Sequence, residues 1–264
     1  MTQRWAVHKF GGASVRDAAG VRNLSAILKQ LAVGDDAGLG QAVVVSAMGK
    51  TTNALEVVWQ ALPQATDVEP VIAQVVDDHC AVVQALGLPP GVLEPDVDRF
   101  REACEDWRGR PLSDEGYDAL VGFGERWSTR IVVAHLESEG MPAVWASAWS
   151  MVRTDAHHRA ARVDLAATAE AIQRSAKGWQ GRIPILQGFV GATAEGQPTT
   201  LGREGSDFSG ALLAEALGAV ASGGGRAGRV WLRANPRTGR PAGVSTSRDT
   251  GPAELLDRSG EDPS

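Results

Sequence analysis

At 264 residues the chain is long enough for one large domain or two small ones, and its 43% hydrophobic and 22% charged residues suit a globular soluble protein. A net charge of −6 argues against a nucleic-acid footprint, so no nucleic-acid partner is expected. No apolar run nears a membrane span, the start MTQRWAVHKF lacks signal-peptide character, and Cys80 and Cys104 form neither a metal spacing nor a disulfide framework. A cytoplasmic protein without a membrane partner is the expectation.

In chain order, Trp5–Phe10 reads as a first strand with Lys9 near its end, followed at once by Gly11, Gly12, Ala13 and Ser14 and then by a helix. Its buried face is marked by Val15, Ala18, Leu24, Ile27, Leu28 and Leu31. A strand, a double glycine and a helix make an anion-receiving corner, unless the turn is only a tight connection with a snorkelling lysine. Ala42–Val45 is a buried β-branched strand, Ser46 to Asn53 a loop, and a helix runs on through Leu55, Val58 and Trp59. Gly49-Lys50-Thr51 is not a P-loop, because position 44 is valine where that motif needs glycine.

Residues 68 to 107 read as helical with a break at Gly87-Leu88-Pro89-Pro90-Gly91, and His79 as a stripe neighbour or surface residue. Ser113 is a plausible N-cap for a helical region reaching Glu139. Gly122-Phe123-Gly124-Glu125-Arg126 interrupts it, leaving Glu125 and Arg126 to face a ligand or to form a solvated pair. Ala143–Ala146 is a short strand, and the pair His157-His158 has no companion cluster that would make it a metal site. A helix from about Asp164 to Lys177 leads to the strand Ile183–Leu186.

The stretch after that strand ends in a helix preceded by Gly202-Arg203-Glu204-Gly205-Ser206-Asp207. Its glycines admit close backbone approach, Ser206 or Asp207 can cap the helix, and Arg203 adds a planar fork for carboxylate or phosphate. Strands alternating with helices predict an α/β fold with a largely parallel sheet over residues 1–233. Arg229–Leu232 could add one short strand. Residues 234–264, with many prolines and charges and no apolar period, read as an irregular or disordered tail.

Taken together the corners resemble the aspartate kinase branch of the amino acid kinase family. Lys9-Phe10-Gly11-Gly12-Ala13-Ser14 is similar to its opening motif, Ser46 to Asn53 to its second loop, and Gly122 to Arg126 to its GER motif. Gln187-Gly188-Phe189-Val190-Gly191 and Leu201 to Asp207 resemble its two later segments. The resemblance implies a three-layer α/β/α sandwich that binds ATP with Mg²⁺ and phosphorylates the β-carboxylate of L-aspartate, the first step of lysine, threonine and methionine biosynthesis. It leaves a homo-oligomer open. Lys9 and Asp207 would be catalytic, Asp207 orienting Lys9. Ser46, Thr52, Glu125, Arg203 and Ser206 would hold aspartate, Glu125 at its ammonium and Arg203 at a carboxylate. Lys9, Gly11, Gly12, Ser14 and Arg237 would meet the nucleotide, with Mg²⁺ mainly on its phosphates and no metal ligand assigned.

The chain departs from the family pattern at Ala13, at Glu204 where glycine is common, and at Trp231 to Arg237. That last stretch looks like the two ends of the family's nucleotide loop joined without its middle, and no ACT domain is read. The alternative expectation is therefore an impaired pseudokinase, or an aspartate-binding or partner protein with an incomplete ATP site.

Overall fold

The computed structural model describes residues 3–34, 38–64, 68–219, 233–234 and 241–242. The central sheet has four parallel strands, β1 (Trp5–Phe10), β2 (Gly40–Val45), β3 (Ala143–Ala146) and β4 (Ile183–Gln187), in the order β1-β2-β4-β3. Parallel strands need helical crossovers, and these cover both faces, which is why the strands read as near-continuous apolar runs. On one face Val43, Val45 and Ile185 pack with α1 (Ala18–Val33), α2 (Thr51–Ala61), α3 (Glu69–Ala85), α4 (Glu94–Trp107), α5 (Asp114–Val121) and α6 (Phe123–Ser138). Trp127 of α6 is fully buried there, against Phe100 and His79.

On the other face Ala42, Val44 and Leu186 meet Ala171 and Ile172 of α8 (Leu165–Ala176) and Leu213 and Ala216 of α9 (Gly205–Ala216). The result is the three-layer α/β/α sandwich. A one-turn helix, α7 (Ala148–Met151), follows β3, and an antiparallel pair, β5 (Val190–Ala192) with β6 (Pro198–Thr200), projects after β4. Two-residue strands β7 (Arg233–Ala234) and β8 (Pro241–Ala242) also pair antiparallel. The expected strand at 229–232 lies outside the described residues, as does most of the expected tail. No helix among the described residues is long and apolar enough to cross a membrane.

Several local expectations need correction. The first helix does not begin directly after Ser14, with Val15 on its face: residues 11–17 turn first, with the Ser14 amide donating to the Gly11 carbonyl at 2.9 Å. Helix α1 starts at Ala18 because Asp17 caps it, accepting from the Gly20 amide at 2.8 Å. Neither Ser206 nor Asp207 caps α9; Glu204 takes the cap position with φ +61° and no side-chain bond. The stretch Gly122–Arg126 is the junction of α5 and α6, not an open break. Gly124 is there for packing, since a Cβ would lie 2.9 Å from the Ala47 side chain. Of the two readings of His79, stripe neighbour or surface residue, the second does not hold: it is buried, because α3 turns that face toward α6. The strands of the β5–β6 pair are only three residues long, too short to show a period in the sequence.

Candidate active site

Parallel strands deliver their following loops to one edge of the sheet, the usual place for a ligand in an open α/β fold. Lys9 lies opposite Val44 and Val45 opposite Gln187, so the loops after β1, β2 and β4 emerge side by side. Backbone bonds join them. The Ser46 amide donates to the Phe10 carbonyl, Gly49 to Gly12, and Gly188 to Val45, each at 3.0 Å. Gly12 is required by this closeness, because a Cβ there would stand 2.6 Å from the Ala47 carbonyl oxygen. The turn before α9 completes the wall, the Leu201 amide donating to Phe189 at 2.8 Å.

These loops enclose a cleft of about 330 Å³. Lys9, Gly12, Ser46, Thr52, Glu125, Ser206 and Asp207, all singled out in the sequence, line it. Gly11, Ser14 and Arg203 do not. Arg203 is exposed between Gly202 and Glu204, both of which line the cleft, and it has no ion pair among the described residues. Arg237 lies outside the described residues. Phe189 and Glu204 also line the cleft, and both hold positive φ, +68° and +61°. Only glycine adopts that region freely, so the sequence carried no signal for either conformation.

The Lys9 ammonium meets the Asp207 carboxylate at 2.8 Å, both side chains mostly shielded from solvent. The ammonium is thus anchored from α9, a different element, at the mouth of the first loop. At the start of α9 the amides of Gly205, Asp207 and Phe208 have backbone acceptors, while that of Ser206 has none among the described residues. A helix start with a spare amide attracts an anion.

Glu125 corrects the expected exposed head: it is only 3% exposed. One carboxylate oxygen, Oε1, accepts from the Ala47 amide at 3.1 Å, while Oε2 is buried with no partner. Burial pushes its pKa up to about 8, against the pull of the Ala47 amide and of its own backbone. Its backbone carbonyl is held by the hydroxyls of Ser128 at 3.1 Å and Thr129 at 2.7 Å. Arg126 does not pair with Glu125. It donates to Asp96 at 2.6 Å and lies over the rings of Trp145 and Trp149. Arg130 joins Asp96 at 2.9 Å, so the first turns of α6 are clamped to α4. Neither Asp96 nor Ala47 was legible as a support for the site.

A third buried carboxylate, after Glu125 and Asp96, is Asp118 of α5, which accepts from Thr200 at 2.6 Å, from the Arg159 amide at 2.9 Å and from His158 at 3.0 Å. It fixes the 155–161 loop and β6 beneath Gly202. His158 is therefore structural, and among the described residues no group of three or more His, Cys, Asp or Glu could hold a metal ion.

Several known proteins are similar to this chain. The model of the amino acid kinase family matches residues 4–222. Lysine-sensitive aspartokinase 3 of Escherichia coli is 34% identical over 216 residues, 80% of this chain and 46% of that protein. The bifunctional aspartokinase/homoserine dehydrogenase 2 of the same organism is 31% identical over 227 residues, 81% of this chain and 26% of its own. The chain thus spans from about a quarter to about half the length of these curated relatives. Among solved structures, E. coli aspartokinase III superposes with a TM-score of 0.71 at 31% identity, over 82% of this chain and 47% of that one, both with lysine and aspartate and with aspartate and ADP.

Proposed function

The chain belongs to the amino acid kinase family, and on that premise we propose that it transfers a phosphoryl group from ATP to the side-chain carboxylate of L-aspartate. The observation that carries the choice of an amino acid is the unpartnered Oε2 of Glu125 on the cleft wall. A buried carboxylate without a counterion is costly, and a substrate ammonium is the group that would relieve it. The names of the relatives, and the aspartate and ADP bound in the solved neighbour, support aspartate and an adenine nucleotide.

The nucleotide supplies the γ-phosphoryl group. Lys9 places its ammonium where the transferring group gathers negative charge, held in aim by Asp207. The close-packed turn at Gly12 lets main-chain amides approach a phosphate, and the spare Ser206 amide adds a donor. Ser46 and Thr52 border the acceptor's place in the cleft. Arg203, beside that wall and without an ion pair among the described residues, would close a fork on a carboxylate. Asp207 is already committed to Lys9, and the donor set suits Mg²⁺ carried in on phosphate oxygens, with no side chain of this chain assigned to it.

A binding module without turnover is the second reading, favoured by Trp231 to Arg237, where the sequence joins the two ends of the family's nucleotide loop without its middle. Separate calorimetric titrations with aspartate and with Mg·ATP, followed by an assay of ADP release, decide between them. Aspartate binding that is lost in Glu125→Gln, with ADP release in the wild type, is expected. Aspartate binding without nucleotide binding would establish the module, and binding of neither would end both readings.

A further inference from the structure

The turn that carries Arg203 rests on a base that is gripped from outside it. The Gly205 amide donates to the Gly202 carbonyl at 3.1 Å and closes the turn. Gly202 holds φ +74°, and a Cβ there would stand 3.0 Å from the Arg159 carbonyl oxygen, so the turn lies against Arg159. Thr200, the last residue of β6, leads into the turn through Leu201. It is fully buried, and its carbonyl accepts from the Ala161 amide at 2.9 Å.

Both parts of that base meet at one side chain. Asp118 of α5 accepts from the Thr200 hydroxyl at Oδ1, 2.6 Å away, and from the Arg159 amide at Oδ2, 2.9 Å away. No lysine or arginine side chain among the described residues pairs with this buried carboxylate. Its charge is held by hydrogen bonds, which are directional and therefore fix where their donors stand. Arg159 itself has φ +64°, a conformation that persists only where its surroundings impose it. Its guanidinium lies 4.2 Å over the Tyr117 ring and reaches Asp114 at 3.4 Å, both residues of α5.

Helix α5 also connects to the opposite side of the cleft. Gly122 ends α5 and begins α6, three residues before Glu125. The helix that grips the Arg203 turn thus runs straight into the one that carries the buried carboxylate.

We propose that Asp118 is a positioning residue for substrate binding. By holding Thr200 and Arg159 together it fixes the Arg203 turn relative to Glu125, so that the fork and the buried carboxylate meet a carboxylate and an ammonium of one molecule. This rests on the proposed binding of an amino acid between Arg203 and Glu125, and it assigns the spacing between those two groups to a residue that touches neither ligand nor cleft.

Asp118→Ala would leave two buried donors without their acceptor and risks unfolding the chain, so the test removes the other end of the bond. Thr200→Val keeps the volume and the β-branch that suits a strand and deletes the hydroxyl. Calorimetric titration of the full chain with aspartate should show binding about fivefold or more weaker in Thr200→Val, and within about twofold of wild type in Thr200→Ser. In an Arg203→Lys background a flexible point charge replaces the oriented fork, and Thr200→Val should there cost less than about twofold more. An equal loss in both backgrounds, or no recovery in Thr200→Ser, would reduce Asp118 to a support of the fold and overturn the proposal. Unchanged affinity in Thr200→Val, with Arg203→Lys weakened, overturns it too and leaves the proposed function standing. If the unaltered chain binds no aspartate, both fall together.

Discussion

Three side chains on or beside the cleft wall make separable predictions. Lys9 touches Asp207 and no other charged group among the described residues, so Lys9→Ala should cut phosphoryl transfer by roughly 10²- to 10³-fold. Its aspartate affinity should stay close to wild type, as steady-state kinetics beside calorimetry would reveal. Arg203→Lys keeps the charge and removes the fork, and should weaken aspartate binding by roughly 1–3 kcal/mol; an unchanged affinity would remove Arg203 from the site. Glu125 gives a pH signature. Its carboxyl is held up to about 8 by burial, so the free protein carries it largely protonated at neutral pH, and pairing with an ammonium must release that proton. Aspartate affinity should rise as pH climbs from 6 toward 8, with proton release visible as a buffer-dependent binding enthalpy. A flat profile would count against Glu125 as the ammonium partner.

At the scale of elements, the clamp on α6 decides whether Glu125 points anywhere useful. Asp96 of α4 is 2% exposed and accepts from Arg99, Arg126 and Arg130, while Trp145 of β3 donates to Thr129 at 2.9 Å. Burial alone would raise the Asp96 pKa, but the two guanidiniums of α6 hold it below the ordinary carboxylate value. A lowered folded-state pKa means that the carboxylate stabilises the fold above its unfolded pKa and that this is lost as pH falls through the folded one. Asp96→Asn should therefore cost roughly 2–4 kcal/mol at pH 7 in urea unfolding. The gap from wild type should narrow in acid, below about pH 4. An equal gap at both pH values would show that packing, not charge, ties α4 to α6.

For the whole molecule, the reading is a sheet whose loops already meet before any ligand arrives. Binding to such a site stabilises the fold by mass action, about 2.7 kcal/mol at a hundredfold excess over Kd. For a body of this size that is a rise in Tm of roughly 5–10 °C. The rise with aspartate should be larger at pH 8 than at pH 6, because Glu125 must give up its proton. Thermal unfolding at the two pH values checks this, and no rise at either would speak against a site that is formed in the free protein.

The sequence by itself determined the layers and the site-bearing loops. Apolar runs such as Ala42–Val45 and Ile183–Leu186 can only be strands covered on both faces, and the glycines after β1 and before α9 mark close backbone approach. Those signals are local, so they survive in one dimension. Only the tertiary structure decided which charges face one another. Lys9 reaches Asp207 across 198 positions, Arg126 takes Asp96 rather than Glu125, and Glu125 is buried with one oxygen unpartnered. The positive φ of Phe189 and Glu204 belongs to the same class. Each depends on what another element places within a few ångströms, and burial and pairing are properties of that juxtaposition, not of the residues that enter it.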